Sequence, residues 1–184
     1  MPSFFEGDKF HGVLSQLKST PKRRGRSVLF APMRTVLFVC TGNTCRSPMA
    51  EAIARSQIQR GKVVGITDSI FVASAGTSAS DGSHISPEAF DSLKRMGLSH
   101  DGRSKRLTAE MIRRADLVLG MTSSHVNGAR SLVHGERDHL AKIVPLDPEG
   151  DVEDPIGMGP AEYDRLGEQL VGLIPARLSG MLKP

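Results

Sequence analysis

The amino-acid sequence predicts an α/β fold: a single three-layer domain in which helices cover both faces of a four-stranded parallel sheet. Short apolar runs rich in β-branched residues alternate along the chain with segments of helical periodicity, an order typical of parallel sheets. The length of 184 residues is sufficient for one such domain and a tail. No apolar stretch approaches the roughly 18 to 20 residues that span a bilayer, so a membrane is not an expected partner.

The first predicted strand covers residues 34–39, an apolar run that leads directly into the loop 40–46. A helix is predicted to follow, with Ser47 as its N-cap and Pro48 at its first position. Gly61 is expected to end this helix, since glycine readily adopts the backbone conformation that closes helices. The domain is therefore expected to begin with a strand, a tight loop and a helix.

The later elements are predicted from apolar periodicity, capping residues and turn residues. In chain order they are a strand at 70–73, a helix from Ser86 to Gly97, a short helix capped by Thr108, a strand at 116–119, a helix at 123–133, a strand at 142–146 and a C-terminal helix from Pro160. An acidic loop, 147–160, separates the last two. Pro175 is expected to kink or fray the C-terminal helix, because proline cannot donate a helical hydrogen bond.

The basic charge of the chain lies in its N-terminal segment. The formal net charge is +4, and residues 1–33 alone hold six basic and two acidic side chains, so the rest of the chain carries no net charge. We expect 1–33 to be a disordered extension and 34–184 to form the folded domain. Nucleic acid is not an expected partner beyond electrostatic contact with this tail. An alternative is that Met33 is the natural start of the protein.

The two cysteines, Cys40 and Cys45, lie in one loop. They are too few for a disulfide framework, which favours a reducing compartment such as the cytoplasm. No neighbouring pair of histidines or cysteines completes a zinc site, so no metal is expected. The six histidines show no ligand spacing and are interpreted as surface residues.

The loop from Cys40 to Ser47 carries the residues expected to do chemistry. Inward-pointing loop amides and the N-terminus of the following helix would bind an anion, and such surroundings stabilise a cysteine thiolate over the thiol. Arg46 would hold two phosphate oxygens with its planar guanidinium, and Ser47 could donate a hydrogen bond to the sulfur. The predicted phosphate-binding residues are Thr41, Gly42, Asn43, Thr44, Cys45, Arg46 and Ser47.

The spacing of Cys40 and Arg46 is weak evidence alone, because it arises often by chance. Gly42 within the loop allows close backbone approach, and Asn43 tolerates the left-handed conformation. Together with Ser47, the strand before the loop and the helix after it, these residues make the pattern specific. The loop therefore predicts a cysteine nucleophile beside a phosphate cradle.

The segment 40–51, with the sequence CTGNTCRSPMAE, resembles the signature loop of the low-molecular-weight protein tyrosine phosphatase family. The segments SAGT at 74–77, ADLVLGMT at 115–122 and DP at 154–155 resemble later landmarks of that family in the same order. The likeness covers about residues 34 to 180. It implies a flavodoxin-like four-stranded parallel sheet and hydrolysis of phosphorylated proteins through a phosphocysteine, without a metal or other cofactor.

The resemblance also identifies Asp154, which stands before Pro155, as the general acid that protonates the leaving group and later activates water. Without the resemblance, no residue of the acidic loop could be preferred over the others. The predicted catalytic residues are thus Cys40, Arg46 and Asp154.

Two positions bear on the substrate. Thr44 stands where tyrosine-specific members usually have an aliphatic residue, which makes the chain similar to bacterial protein arginine phosphatases. Ile156 follows Asp-Pro where tyrosine-specific members usually have aromatic residues and arginine phosphatases tend to have phenylalanine. Phosphoarginine is the favoured substrate, because a polar threonine suits the guanidinium of phosphoarginine better than it suits the phenyl ring of phosphotyrosine. Three further functions stay open: a protein tyrosine phosphatase, an arsenate reductase and a phosphate-binding module without catalysis.

Overall fold

The computed structural model describes residues 33–66 and 68–182. Four strands form one sheet: β1 (Met33–Cys40), β2 (Ser69–Gly76), β3 (Leu117–Gly120) and β4 (Ile143–Pro145). They lie in the order β2-β1-β3-β4, and all neighbouring pairs run parallel. The predicted four-stranded parallel α/β sheet is therefore confirmed.

Helices connect the strands and continue to the C-terminus. They are α1 (Arg46–Gln59), α2 (Pro87–Arg95), α3 (Ala109–Arg114), α4 (Ser123–Leu132), α5 (Arg137–Ala141) and α6 (Pro160–Met181). The predicted caps at Ser86 and Thr108 are present, since each hydroxyl accepts a hydrogen bond from a first-turn amide of its helix. Gly61 follows the last turn of α1 with a positive φ of 65°, as expected for a helix end.

Hydrophobic cores on both faces of the sheet make the domain three-layered. Along β1, Val36 and Phe38 face one core, which they share with α1, α2 and α6. Leu37 and Val39 face the other core, which includes residues of α3 and α4. Successive side chains of a strand point to opposite faces, so a strand buried on both sides reads as a continuous apolar run.

Two details of the predicted helices differ from the structure: the predicted cap of α1 is wrong, and the C-terminal helix does not fray at Pro175. Ser47 does not cap α1, which begins at Arg46 after Cys45 and has no side-chain cap; the Ser47 hydroxyl contacts the sulfur of Cys40 instead. Pro175 lies inside α6, which continues to Met181. Ile174 and Leu178 on either side of this proline are fully buried, and their packing holds the helix together past the missing hydrogen bond.

Two further differences concern the ends of elements and of the chain. The short helix α5 was not expected, because its five residues are too few for a periodic signal. Met33, assigned to the N-terminal extension, is the first residue of β1. The rest of the predicted extension lies outside the described residues and stays a prediction. No helix in the described ranges is long and apolar enough to cross a membrane.

The strand order places a crevice at the carboxyl end of β1. After β1 the chain crosses to β2 on one side, whereas β3 and β4 lie on the other side of β1. The connections after β1 and β3 therefore leave the sheet in different directions, and the space between them is where open α/β sheets bind ligands. The loop that follows Cys40 lies at this point.

The glycines of α6 and β3 allow a test of helix and strand packing. Gly172→Ala is expected to raise the free energy of unfolding by about 0.5–1 kcal/mol, because alanine favours the helix and nothing lies within 4 Å of the added Cβ. Gly120→Ala is the contrasting variant, since its Cβ would lie 3.0 Å from the backbone nitrogen of Val126. Chemical denaturation of both variants would contradict the structure if Gly172→Ala were the less stable of the two.

Candidate active site

The loop between β1 and α1 wraps around the end of β1 in a tight turn. Asn43 has a φ of 53°, the one non-glycine residue with positive φ in the described ranges. Asparagine adopts this left-handed conformation more readily than most residues. The close fit extends to β2, because a Cβ added to Gly76 would lie 2.5 Å from the carbonyl oxygen of Thr41.

The Cys40 sulfur is buried and faces hydrogen-bond donors. The backbone amide of Asn43 donates to it at 3.2 Å, and the Ser47 hydroxyl oxygen lies 3.0 Å from it. The Asn43 amide thus points the positive end of its dipole at the sulfur. The N-terminus of α1 lies directly after the loop and adds positive potential.

The Asn43 side chain connects the loop to the sheet and to a later loop. Its amide nitrogen donates to the hydroxyls of Ser47 at 2.9 Å and Ser74 at 2.8 Å. Its amide oxygen accepts a hydrogen bond from the backbone nitrogen of Lys105 at 2.8 Å. These three hydrogen bonds fully define the orientation of the amide and hold the left-handed turn in place.

Behind Asn43 lies a buried carboxylate, Glu51 of α1. It accepts a hydrogen bond from Ser74 and pairs with Arg55. The His100 ring nitrogen Nε2 lies 3.3 Å from it. Burial works to raise the pKa of Glu51, but the hydrogen bonds of His100 and Ser74 and the charge of Arg55 together hold it below its usual value. Glu51 therefore remains a carboxylate that anchors Ser74, and through Ser74 the loop.

Arg46 crosses from α1 to the acidic loop. Its Nη1 donates to the carbonyl oxygen of Val152 at 3.1 Å, and its Nη2 forms an ion pair with Asp154. The Arg46 side chain is only 5% exposed, whereas that of Asp154 is 41% exposed. Within the part of the chain that the structure describes, the Arg46 Nε is buried and has no hydrogen-bond partner. A buried donor without a partner is costly, which makes it ready to bind an anion.

A cavity of about 210 Å³ opens above the thiol. Its lining residues are Cys40, Thr41, Gly42, Thr44, Cys45, Arg46, Asp154 and Ile156. The structure thus brings together, around one cavity, the three predicted catalytic residues and both predicted selectivity residues. Asn43 and Ser47 lie behind it, in contact with the sulfur of Cys40.

The second cysteine of the loop also lines the cavity, and its thiol contacts two hydroxyl groups. Cys45 is buried, with its sulfur 3.4 Å from the Ser86 hydroxyl oxygen and 3.6 Å from that of Tyr163. Burial, together with the hydrogen bond to Cys45, raises the pKa of Tyr163 to about 12, so this phenol stays neutral. Both cysteines are free thiols.

The interpretation of the histidines as surface residues is wrong for His100 and His125, which are both buried. His125 contacts Thr41, whereas His100 contacts Glu51. Neither has a neighbour in sequence that reveals this contact. The capping pattern at Thr122 could have placed His125 in the first turn of α4, because its side chain completes the capping box.

The family of the chain follows from comparison with known proteins. A family model described as low molecular weight phosphotyrosine protein phosphatase matches residues 35–181. The chain belongs to this family. A Bacillus subtilis relative named protein-arginine-phosphatase is 38% identical over 143 residues, which are 76% of this chain and 91% of that protein. The predictions of this family and of a protein phosphatase are confirmed.

Solved structures of this phosphatase family share the fold. A mutant of YwlE arginine phosphatase with a phosphorylated active-site serine is 34% identical, with a TM-score of 0.70 over 80% of this chain and 95% of that chain. A low molecular weight protein tyrosine phosphatase from T. tengcongensis is 43% identical, with a TM-score of 0.66 over 79% of this chain and 97% of that chain. Phosphatases named for arginine and for tyrosine are therefore both among the relatives.

In this phosphatase no group of three or more metal-ligating side chains lies together within residues 33–66 and 68–182.

Gly76→Ala is expected to distort the phosphatase loop, since the new Cβ would lie 2.5 Å from the Thr41 oxygen and 2.8 Å from the Asn43 nitrogen. We expect a loss of about 1–3 kcal/mol in unfolding free energy and at least tenfold weaker binding of inorganic phosphate by calorimetry. Gly150→Ala is the control, because nothing lies within 4 Å of its added Cβ. Equal phosphate affinity in the two variants would contradict this geometry.

The Glu51 network predicts a pH dependence of stability. Because the folded-state pKa of Glu51 is lowered, its carboxylate stabilises the fold above pH 4.5, its ordinary value, and this contribution is lost as the pH falls through the folded-state pKa. Glu51→Gln removes the contribution, so its thermal unfolding should depend less on pH below 4.5 than that of the wild type. Glu149→Gln, at an exposed position, is the control for net charge. Parallel pH profiles for Glu51→Gln and the wild type would be the contrary result.

Proposed function

We propose that this chain hydrolyses phosphoarginine in proteins through a phosphocysteine intermediate on Cys40. The observation that supports it best is the surroundings of the thiol. Cys40 accepts a hydrogen bond from the Asn43 amide, contacts the Ser47 hydroxyl and shares one cavity with Arg46 and Asp154. Simple phosphate binding would need neither a nucleophile nor a proton donor at the rim.

Binding of the phosphoryl group would use donors that lack protein partners. The N-terminus of α1 has no side-chain cap, so the amides of Arg46 and Ser47, its first two residues, are available to an anion. The unpartnered Nε of Arg46 is a further donor. As Arg46 turns toward the phosphoryl oxygens, its ion pair with Asp154 weakens, which leaves the Asp154 carboxyl free to face the leaving group.

In the first step the Cys40 thiolate attacks phosphorus and forms the S–P bond. The P–N bond of phosphoarginine breaks, and its electron pair takes the proton that Asp154, as the carboxylic acid, donates to the guanidino nitrogen. Arginine leaves as part of the substrate protein. The charge on the transferring oxygens is stabilised throughout by Arg46 and the loop amides.

In the second step water attacks the phosphorus of the phosphocysteine. Asp154, now a carboxylate, accepts a proton from this water, and the S–P bond breaks to release inorganic phosphate. The Ser47 hydroxyl, 3.0 Å from the sulfur, stabilises the thiolate as it leaves. The cycle returns Cys40 to the thiolate and Asp154 to the acid, and no cofactor takes part.

The assignment to phosphoarginine rests on the cavity rim. Thr44 and Ile156 both line the cavity, so a threonine hydroxyl is available to a polar guanidinium. Relatives from Bacillus subtilis and Geobacillus stearothermophilus are named protein-arginine-phosphatase. Protein tyrosine phosphatase is the second candidate, because the T. tengcongensis relative bears that name.

Arsenate reduction and phosphate binding without catalysis have less support. Arsenate reduction would need cysteines away from the loop to resolve the nucleophile, and the chain has only Cys40 and Cys45. If the site only bound phosphate, the Asp154 carboxyl beside Arg46 would have no function there. The partner we propose is a phosphorylated protein, with no metal, membrane or nucleic acid. The proposed compartment is the cytoplasm, where a catalytic thiol stays reduced.

The test is turnover of the purified protein on a phosphoarginine protein and on a phosphotyrosine peptide, with Cys40→Ser as the blank. We expect a preference for phosphoarginine that falls by about tenfold or more in Thr44→Ile, since this variant replaces the hydroxyl with an apolar ethyl group. Phosphate release measures the activity on both substrates in the same assay.

A preference of the wild type for phosphotyrosine would refute the arginine assignment and leave the phosphatase mechanism intact. Release of phosphate by Cys40→Ser at the wild-type rate would refute the mechanism as well. Ile156→Ala serves as the matched rim variant, because it removes apolar surface from the same cavity and leaves Thr44 in place.

A further inference from the structure

His125 is a buried histidine that the mechanism above does not use. It lies in the first turn of α4, after β3, and is only 5% exposed. Its Nε2 lies 2.8 Å from the Thr41 hydroxyl oxygen, 84 positions away in the chain. Thr41 follows the nucleophile Cys40 directly and lines the cavity. A side chain from a helix in the second half of the domain therefore contacts the start of the phosphate-binding loop.

The hydrogen bonds of His125 specify its tautomer. The backbone nitrogen of Thr122 donates to Nδ1 at 3.1 Å, so Nδ1 must carry a lone pair. In the neutral ring the proton then resides on Nε2 and is donated to the Thr41 hydroxyl oxygen. In a doubly protonated ring, the Nδ1–H would point at the backbone N–H of Thr122, and the two donors would repel each other. The Thr122 hydroxyl oxygen also lies 2.9 Å from Nδ1 and can donate to it. The backbone contact from Thr122 thus favours a neutral imidazole with the proton on Nε2.

The electrostatic surroundings agree with the neutral ring. Burial lowers the pKa of His125, and the charge of Arg46 lowers it further. Asp154 and Asp151 of the acidic loop act in the opposite direction but do not outweigh these effects. His125 contacts Thr41, and the residue that precedes Thr41 in the chain is Cys40.

Thr41 is held from two sides. Its carbonyl oxygen accepts a hydrogen bond from the backbone nitrogen of Ser78 at 2.9 Å, and its side chain accepts one from His125. Capping of α4 needs only Nδ1, because the contact with Thr122 completes the cap. The hydrogen bond between Nε2 and Thr41 is not part of the cap, and it holds the phosphate-binding loop instead.

We propose that His125 is a positioning residue for the phosphatase reaction: its Nε2–H holds Thr41, and so the first turn of the loop, in the arrangement that the transferring phosphoryl group requires. The proposal rests on the proposed phosphatase function for its kinetic test, whereas its structural test is independent of turnover. Loop amides that are out of place stabilise the transition state less, so the effect falls mainly on kcat.

The experiment compares His125→Gln with His125→Phe, using 4-nitrophenyl phosphate and the preferred phosphoprotein as substrates. The Gln side-chain amide can still donate to Thr41, whereas Phe keeps the bulk and loses the donor. We expect kcat to fall about tenfold in His125→Phe and clearly less in His125→Gln, with smaller changes in KM. His134→Gln, at an exposed histidine, is the control and should match the wild type.

A double-mutant cycle tests whether the effect passes through Thr41. Thr41→Val removes the acceptor of the hydrogen bond, and Thr41→Ser keeps it. Once Thr41→Val is present, His125→Phe should lower kcat by much less than it does in the wild type. Independent, multiplicative losses would overturn the proposal, as would equal losses in His125→Gln and His125→Phe.

A readout without turnover separates this proposal from the proposed function. Nitrogen NMR of the ¹⁵N-labelled His125 ring should show a protonated Nε2 and an unprotonated Nδ1 at neutral pH, with the signal changed in Thr41→Val. Binding of inorganic phosphate, followed by calorimetry, should weaken in His125→Phe more than in His125→Gln. If no phosphorylated substrate is turned over, the proposed function fails, and these two measurements still decide the role of His125. The opposite tautomer would refute it.

Discussion

The left-handed conformation of Asn43 is the constraint on which the site depends. A non-glycine residue with positive φ costs of order 1–3 kcal/mol unless its surroundings hold it. Here the side chain supplies that support through Ser47, Ser74 and the Lys105 amide. The same turn points the Asn43 backbone amide at the Cys40 sulfur. One residue therefore links the shape of the loop to the surroundings of the Cys40 thiol.

The support extends beyond the loop in two directions. On one side, Ser74 donates a hydrogen bond to the buried carboxylate of Glu51, which also contacts Arg55 and His100. On the other side, His125 reaches Thr41 from α4. The loop is thus held between groups of α1 and β2 on one side and of α4 on the other, which is the arrangement that a preorganised anion site needs. A flexible loop would have to be ordered in every catalytic cycle.

Arg46 and Asp154 form an ion pair that the proposed reaction would break and restore. The pair gives the Nη2 of a nearly buried guanidinium a partner, and the Asp154 carboxyl is partly exposed at the rim. A phosphoryl group offers Arg46 a stronger bidentate contact than a single carboxylate oxygen. Exchange of partners would therefore couple phosphate binding to release of the proton donor. Among the residues that line the cavity, Asp154 is the one that both pairs with Arg46 and carries a carboxyl that could donate a proton.

The strand, the loop and the first helix were predictable because the residues that specify them are contiguous. Cys40, Arg46 and the residues between them occupy seven consecutive positions, so local sequence specifies their spacing and their place at a helix N-terminus. The prediction that Asp154 is the general acid depends on the family resemblance, since its own loop offers several carboxylates. Packing across 108 and 84 positions placed Asp154 on Arg46 and His125 on Thr41. Burial of a histidine depends on elements distant in sequence, so only the assembled sheet reveals it.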